Sequence, residues 1–398
     1  MPSIHYNPGK SNKDIYYFAT YGICFFALGL GISALGPMLP YLADNVGVTF
    51  AQISFLFMTS SLGYLLGSAG GGRLFDRYKG HRLMLFAVLL MVVTISLVPI
   101  TPFFYLMLFI LFLFGTFQGI IDVGGNVNLL WVFQGRVGPY MNALHFCFGV
   151  GAFLSPVILH TVMRWSGGQI TWPFWTLALL SLPGIIGLWI LPSPENNQQN
   201  QSEHTNKKVN SHLIVLMVVL FFVYVGMESG YSGWIFTYAT QAEIASQSGA
   251  SIMNSLFWGA LTLGRLISVP LAKKIPPSKL LLGNFFLAIL FLGLILIFPL
   301  NPIIVWVVSA GFGLALSSVF PTLLALGESR MTISGKVTGY FFLGSSSGAM
   351  LVPMALGQIY EYIGGYQIML SLFILTIIGM AVLSSVIFTS NMIAEKVR

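Results

Sequence analysis

The chain has 398 residues, of which 56% are hydrophobic and 7% charged, with a mean hydropathy of +0.85 and a net charge of +7. A water-soluble domain carries about 25% charged residues, so this composition excludes one. Apolar runs of 20 residues or more also exclude a β-barrel, whose strands are short and alternate, and point to an all-α, multi-pass membrane protein.

Twelve apolar helices are predicted, at about 15–41, 50–72, 83–100, 103–131, 138–163, 171–191, 212–239, 249–273, 279–299, 302–326, 335–360 and 366–391. Residues 1–14 are polar and the first apolar run is too long for a signal peptide. With the N-terminus in the cytoplasm, every Lys and Arg except Arg164 falls on a cytoplasmic segment, Arg265 among them. That distribution obeys the positive-inside rule, places both termini in the cytoplasm and removes any need for a nucleic-acid partner. A plasma membrane or a bacterial inner membrane is the expected location, with the lipid bilayer as the surroundings and a monomer as the working unit. Cys24 and Cys147 fall inside predicted helices, so free thiols are expected.

One segment interrupts the apolar pattern. Residues 193–211 (SPENNQQNQSEHTNKKVNS) are polar, rich in Asn and Gln and nearly central. They read as a linker between a six-helix unit at 1–192 and another at 212–398. The two units share sequence: Gly151-Ala152-Phe153-Leu154-Ser155-Pro156 in the fifth helix and Gly348-Ala349-Met350-Leu351-Val352-Pro353 in the eleventh both follow G-A-x-L-x-P. Leu62-Gly63 and Leu263-Gly264 are a second such match. Together they suggest an internal duplication.

The fourth helix carries an acid at its centre. A carboxylate there costs roughly 2.5–3.5 kcal/mol on insertion scales, so such residues usually face a protein interior or a wet path. Gln118, Asp122 and Asn126 are spaced by four, which places them on one face. Gly115 and Gly119 on the same side allow another helix or a ligand to approach closely. The seventh helix holds the other acid, Glu228, within Tyr224-Val225-Gly226-Met227-Glu228-Ser229-Gly230-Tyr231-Ser232-Gly233-Trp234. Carboxylates, amides and imidazoles satisfy sugar hydroxyls, and Trp or Tyr rings cover the C–H faces of a sugar. Local unwinding at the glycines around Glu228 would bring Trp234 onto its side of the helix. Asn142 and His145 in the fifth helix and Asn254 and Trp258 in the eighth are further candidates. His145 reads equally as a bridge between helices, and Ser345-Ser346-Ser347 as close packing. Trp165, Trp172 and Trp175 read as interfacial anchors. The short loops leave no room for a catalytic domain, and no metal site, nucleotide loop or nucleophile–base pair is visible, so neither an enzyme nor a cofactor is expected.

Between the second and third helices, Gly72-Arg73-Leu74-Phe75-Asp76-Arg77-Tyr78-Lys79-Gly80-His81-Arg82 resembles the loop signature of the major facilitator superfamily, with one extra residue before Gly80. The resemblance implies two pseudo-symmetric six-helix bundles and a gating role for Gly72, Asp76, Arg77 and Arg82, with Asp76 pairing to basic groups in the outward-open state. The acid and the Asn four residues later, Asp122 and Asn126, resemble the fourth helix of the fucose–proton symporter family. The strings around His145 and Glu228 resemble that family's sodium-dependent glucose transporter branch. These resemblances imply that Asp122 and Asn126 couple a cation, Na⁺ or H⁺. Together with the sugar chemistry of the side chains, they make Gln118, Asn126, Asn142, His145, Glu228, Tyr231, Trp234, Asn254 and Trp258 the expected surroundings of a small polar solute, a monosaccharide. The family prototype has a further acid in the first helix; this chain has none between Phe25 and Pro40, which favours Na⁺. A multidrug or lipid exporter of the same fold and a non-transporting receptor or scaffold are the alternative readings.

Overall fold

The structure is a computed structural model that describes residues 8–194, 211–331 and 335–397. Before the central linker come α1 (Pro8–Val46), a single-turn α2 (Phe50–Ile53), α3 (Phe55–Arg77), α4 (Gly80–Leu97), α5 (Phe104–Phe133), α6 (Val137–Trp165) and α7 (Thr171–Ile190). After it come α8 (Ser211–Gln241), α9 (Gln247–Ala272), α10 (Pro277–Ile297), α11 (Pro302–Leu316), α12 (Val319–Arg330), α13 (Gly335–Tyr362) and α14 (Tyr366–Val397). No strand occurs among the described residues, and twelve helical stretches there are long and apolar enough to cross a membrane. Of the expected linker, residues 195–210 lie outside the described residues.

Two expected helices are divided. The second breaks at Ser54 and the tenth at Ser317 and Ser318. A break inside a bilayer exposes carbonyls that water cannot reach, so protein groups must satisfy them. At the first break they do: Ser54 Oγ donates to the Ala51 carbonyl at 2.7 Å, and Gln358 Nε2 of α13 donates to the same oxygen at 2.7 Å. At the second, Ser317 Oγ caps the Leu314 carbonyl at 2.7 Å and Ser318 Oγ accepts from Asn284 Nδ2 of α10 at 2.7 Å.

Glycines set which helices touch. Between lipid-soluble helices there is no hydrophobic drive, so close backbone approach supplies the contact. Gly63 and Gly67 of α3 face the Phe112 and Thr116 carbonyls of α5, and Gly115 and Gly119 of α5 face the Ser60 and Tyr64 carbonyls of α3. The helix expected to approach the Gly115–Gly119 face is therefore α3. The repeated G-A-x-L-x-P strings do equivalent work in each half: Gly151 of α6 faces the Phe26 carbonyl of α1, and Gly348 of α13 faces the Phe222 carbonyl of α8.

The halves meet at the end away from the chain termini. There Ser54 Oγ reaches the Met354 carbonyl at 3.2 Å, and the Phe50 amide donates to Glu361 Oε2 at 3.0 Å. Gly36 of α1 packs on Ser232 and Gly233 of α8, and Gly357 of α13 on Ser54. At the terminal end the halves stand apart around a cavity whose wall extends to Ala272, Ile275 and Pro277 in the α9–α10 turn.

Replacing Gly119 by Leu should drive a side chain into the Tyr64 and Ser68 backbone and cost about 1–3 kcal/mol. Gly283 of α10, where an added Cβ meets nothing, is the control: Gly283→Ala should be neutral or mildly stabilising. Thermal unfolding in detergent compares the two, and equal melting temperatures would remove the glycine contact as a determinant of the bundle.

Candidate functional site

The cavity between the halves has a volume of about 1350 Å³. Most of its wall is aliphatic or aromatic, and the charged and amide side chains form a polar band across it. From the N-terminal half this band contains Gln118, Asp122 and Asn126 of α5, Tyr64 of α3, and Asn142 and His145 of α6. The close α3–α5 contact delivers Tyr64 to Asp122: the phenol donates to Oδ2 at 2.6 Å. Asn126 Nδ2 donates to Oδ1 at 3.2 Å and to the Asp122 carbonyl at 2.9 Å. Gln118 is buried and its Nε2 makes no hydrogen bond. His145 rests edge-on against Phe25, with ring centroids 5.6 Å apart, and interacts electrostatically with both Asp122 and Arg265.

The C-terminal half contributes Tyr224 and Glu228 of α8 and Trp258 and Arg265 of α9. Tyr224 and Glu228 are one turn apart on one face. The Tyr224 hydroxyl lies beside both Glu228 and Arg265, yet it is buried without a hydrogen bond of acceptable geometry. Arg265 Nε and Trp258 Nε1 are likewise buried and unpartnered. Buried polar groups normally have partners, so four such atoms lining the cavity, Gln118 from the N-terminal half and Tyr224, Trp258 and Arg265 from the C-terminal half, suit it to a polar ligand.

A family model described as Major Facilitator Superfamily matches residues 21–353. The chain belongs to the major facilitator superfamily. It is 29% identical over 360 residues to a Xenopus laevis protein named sodium-dependent glucose transporter 1, covering 83% of this chain and 73% of the relative. The human protein of that name is 28% identical over 369 residues, with 84% and 71% covered. Among solved structures, the nucleoside transporter NupG superposes with a TM-score of 0.75 at 13% identity, covering 93% of this chain and 99% of that one, a likeness of fold. The family and fold are those of multi-pass membrane transporters and not of enzymes.

Within this superfamily fold, three residues expected on the solute lie off the cavity wall. Tyr231 is fully buried, with its hydroxyl 2.9 Å from Ser309 Oγ of α11 and its ring against Phe257 and Phe312. Asn254 is also fully buried and ties α9 to α8 by donating to the Ser232 carbonyl at 2.6 Å. Trp234 is fully buried at the closed end, where Nε1 donates to the Pro353 carbonyl at 2.9 Å. Its ring stacks on Tyr360 at 5.7 Å and touches Phe50 and Phe57. The helix does not unwind at its glycines: α8 is continuous, so Trp234 stays rotated away from Glu228. Of the three Trp and Tyr rings expected on the solute, Trp258 is the one that lines the wall, where Tyr64, Tyr224 and several Phe rings also lie.

Arg265 corrects the charge map. Counted with the cytoplasmic cations, it instead lies about 10 Å before the end of α9, within the expected helix 249–273, and lines the cavity. Tyr64 and Arg265 were invisible as site residues; a Tyr and an Arg near a helix end are ordinary until the partner helix is known. Ser345 and Ser346, read as packing residues, also line the cavity. In the superfamily loop, Asp76, Arg77 and Arg82 are exposed and Gly72 meets no neighbour. The ion pair formed among the described residues is elsewhere at the terminal end, Arg136–Asp14 at 3.1 Å.

A Tyr64→Phe, Asp122→Asn double-mutant cycle should return a coupling of about 1.5–3 kcal/mol in thermal stability, as for a hydrogen bond to a charged group. Additive effects would show that the 2.6 Å contact carries no energy. Trp234→Ala should loosen the closed end. A cysteine at Ser61 on the cavity wall, in a variant lacking Cys24 and Cys147, would then react with an impermeant maleimide from that side. Unchanged labelling would mean that the aromatic cluster is not the seal.

Proposed function

We propose that the protein is a secondary transporter that carries a monosaccharide together with one monovalent cation, Na⁺ in preference to H⁺, by alternating access. The observation that carries this reading is the charge count of the cavity wall. It bears Asp122, Glu228, Arg265 and the titratable His145. With His145 neutral, the two carboxylates exceed the guanidinium by one negative charge. A single cation at Asp122 balances that excess, so a neutral solute loads into a neutral site. Leaving a net charge in a low-dielectric cavity that must close is costly, which couples closure to cation binding.

Several features support the choice of ion and solute. Na⁺ needs several oxygen ligands, and the Asp122 carboxylate lies within hydrogen-bond reach of the Tyr64 hydroxyl and the Asn126 side-chain amide. No second acid is present in the membrane-spanning part of α1 before Pro40 to share a proton. The relatives at 28–29% identity are named as sodium-dependent glucose transporters. Gln118, Asn142, His145 and Glu228 supply groups for hydroxyls, and Trp258 supplies a face for C–H stacking. The polar band favours a hydroxylated solute over the more apolar cargo of a drug or lipid exporter.

In this reading the six-helix units 1–192 and 212–398 rock about the solute as a monomer, with both termini in the cytoplasm. The cavity is then open to the cytoplasm and closed outside. Asp76, Arg77 and Arg82 would engage when that end closes. One charge crossing about 100 mV is worth about 2.3 kcal/mol, or roughly fifty-fold accumulation, before any ion gradient is added.

The test is uptake of labelled sugars into proteoliposomes with Na⁺ and pH gradients imposed separately. Uptake should follow the Na⁺ gradient and be electrogenic. Asp122→Asn should abolish cation-driven accumulation while retaining counterflow. Wild-type accumulation in that variant would end the coupling role of Asp122, and uptake following only the pH gradient would reassign the ion.

A further inference from the structure

The three groups on the C-terminal wall are arranged in a way that the count of charges does not explain. Glu228 and Arg265 both act on the Tyr224 hydroxyl. Even so, they form no ion pair within 4 Å among the described residues, although opposite charges in a poorly solvated cavity attract strongly. The Tyr224 hydroxyl and Arg265 Nε remain unpartnered between α8 and α9. A guanidinium only donates hydrogen bonds and a carboxylate only accepts them. An uncharged group that complements both at once accepts on one atom and donates on a neighbouring one. Two adjacent hydroxyls do this, and the Tyr224 hydroxyl can serve either of them. A solute carboxylate suits Arg265 but is repelled by Glu228. A solute ammonium suits Glu228 but is repelled by Arg265.

We propose that Tyr224, Glu228 and Arg265 form a diol-reading subsite that selects neutral sugars with adjacent hydroxyls and rejects sugar acids and amino sugars. The proposal rests on the sugar-transport reading and deepens it. Asp122 belongs to the N-terminal half, but Glu228 and Arg265 enter the charge balance with it, so the selectivity is read in counterflow, which needs no net cation movement. The arrangement is a device for specificity, because a mismatched charge meets repulsion as well as the loss of a contact.

Competition against labelled hexose counterflow in proteoliposomes tests it, using the hexose, its series of monodeoxy derivatives, the hexuronate and the hexosamine. In the wild type, deoxygenation at two neighbouring carbons should each weaken competition about tenfold or more, as for hydrogen bonds to charged groups. The hexuronate and hexosamine should compete poorly. Glu228→Gln should gain competition by the hexuronate, and Arg265→Gln should gain competition by the hexosamine. Arg265→Lys should keep rejecting the hexosamine. Either gain by itself upholds the subsite, since loss of structure produces no new specificity. Uniform weakening of every competitor in both Gln variants, with no gain, would overturn the subsite and leave sugar transport standing. A wild type that carries no sugar would overturn both.

Discussion

A carboxylate in the middle of a membrane-spanning helix has to be held by protein, and the packing around α5 follows from how that is done. Tyr64 can place its hydroxyl 2.6 Å from Asp122 because α3 and α5 touch backbone to backbone. That contact exists because Gly63, Gly67, Gly115 and Gly119 carry no Cβ at the crossing. Any larger residue there would separate the helices and leave the acid with only Asn126. The glycines and the carboxylate are thus one structural element: the first sets a distance and the second needs it.

The same economy of small residues recurs at each crossing that shapes the cavity. Gly151 and Gly348 seat equivalent helix pairs in the two halves, on the carbonyls of Phe26 and Phe222. Gly36, Gly233 and Gly357 bring the halves together at the closed end, where Trp234, Tyr360, Phe50 and Phe57 fill the space. Small residues let the backbones meet, and the aromatic rings then fill what is left. Closing one end this tightly while the other stands open is the geometry required of a carrier with one site and two faces.

The cavity itself is divided by chemistry. The N-terminal wall gathers Asp122, Asn126, Gln118 and His145 on α5 and α6, with Tyr64 from α3. The C-terminal wall gathers Glu228, Tyr224, Arg265 and Trp258 on α8 and α9. His145 is the link, because it interacts with Asp122 in its own half and with Arg265 in the other, beside the direct α6–α9 contact at Gly149 and Thr262. A solute lying between the walls touches both halves, so relative movement of the halves must remake its contacts. This is the physical basis for making transport depend on occupancy.

Fold class, helix number and most helix boundaries could be read from the sequence, because they depend on local properties: apolar length, basic flanks and a polar gap. The shared face of Gln118, Asp122 and Asn126 was legible for the same reason, since a four-residue spacing on one helix needs no knowledge of neighbours. The glycines were visible, but that α3 is their partner was not. Only the tertiary structure could move Trp234 from the solute to the closed end, bury Tyr231 and Asn254 between helices, and bring Tyr64 to Asp122. It also turned Arg265, counted with the cytoplasmic cations, onto the cavity wall. Each of those outcomes depends on which helix lies opposite. An apolar sequence leaves that open because, in lipid, one apolar face looks much like another, and packing geometry makes the choice.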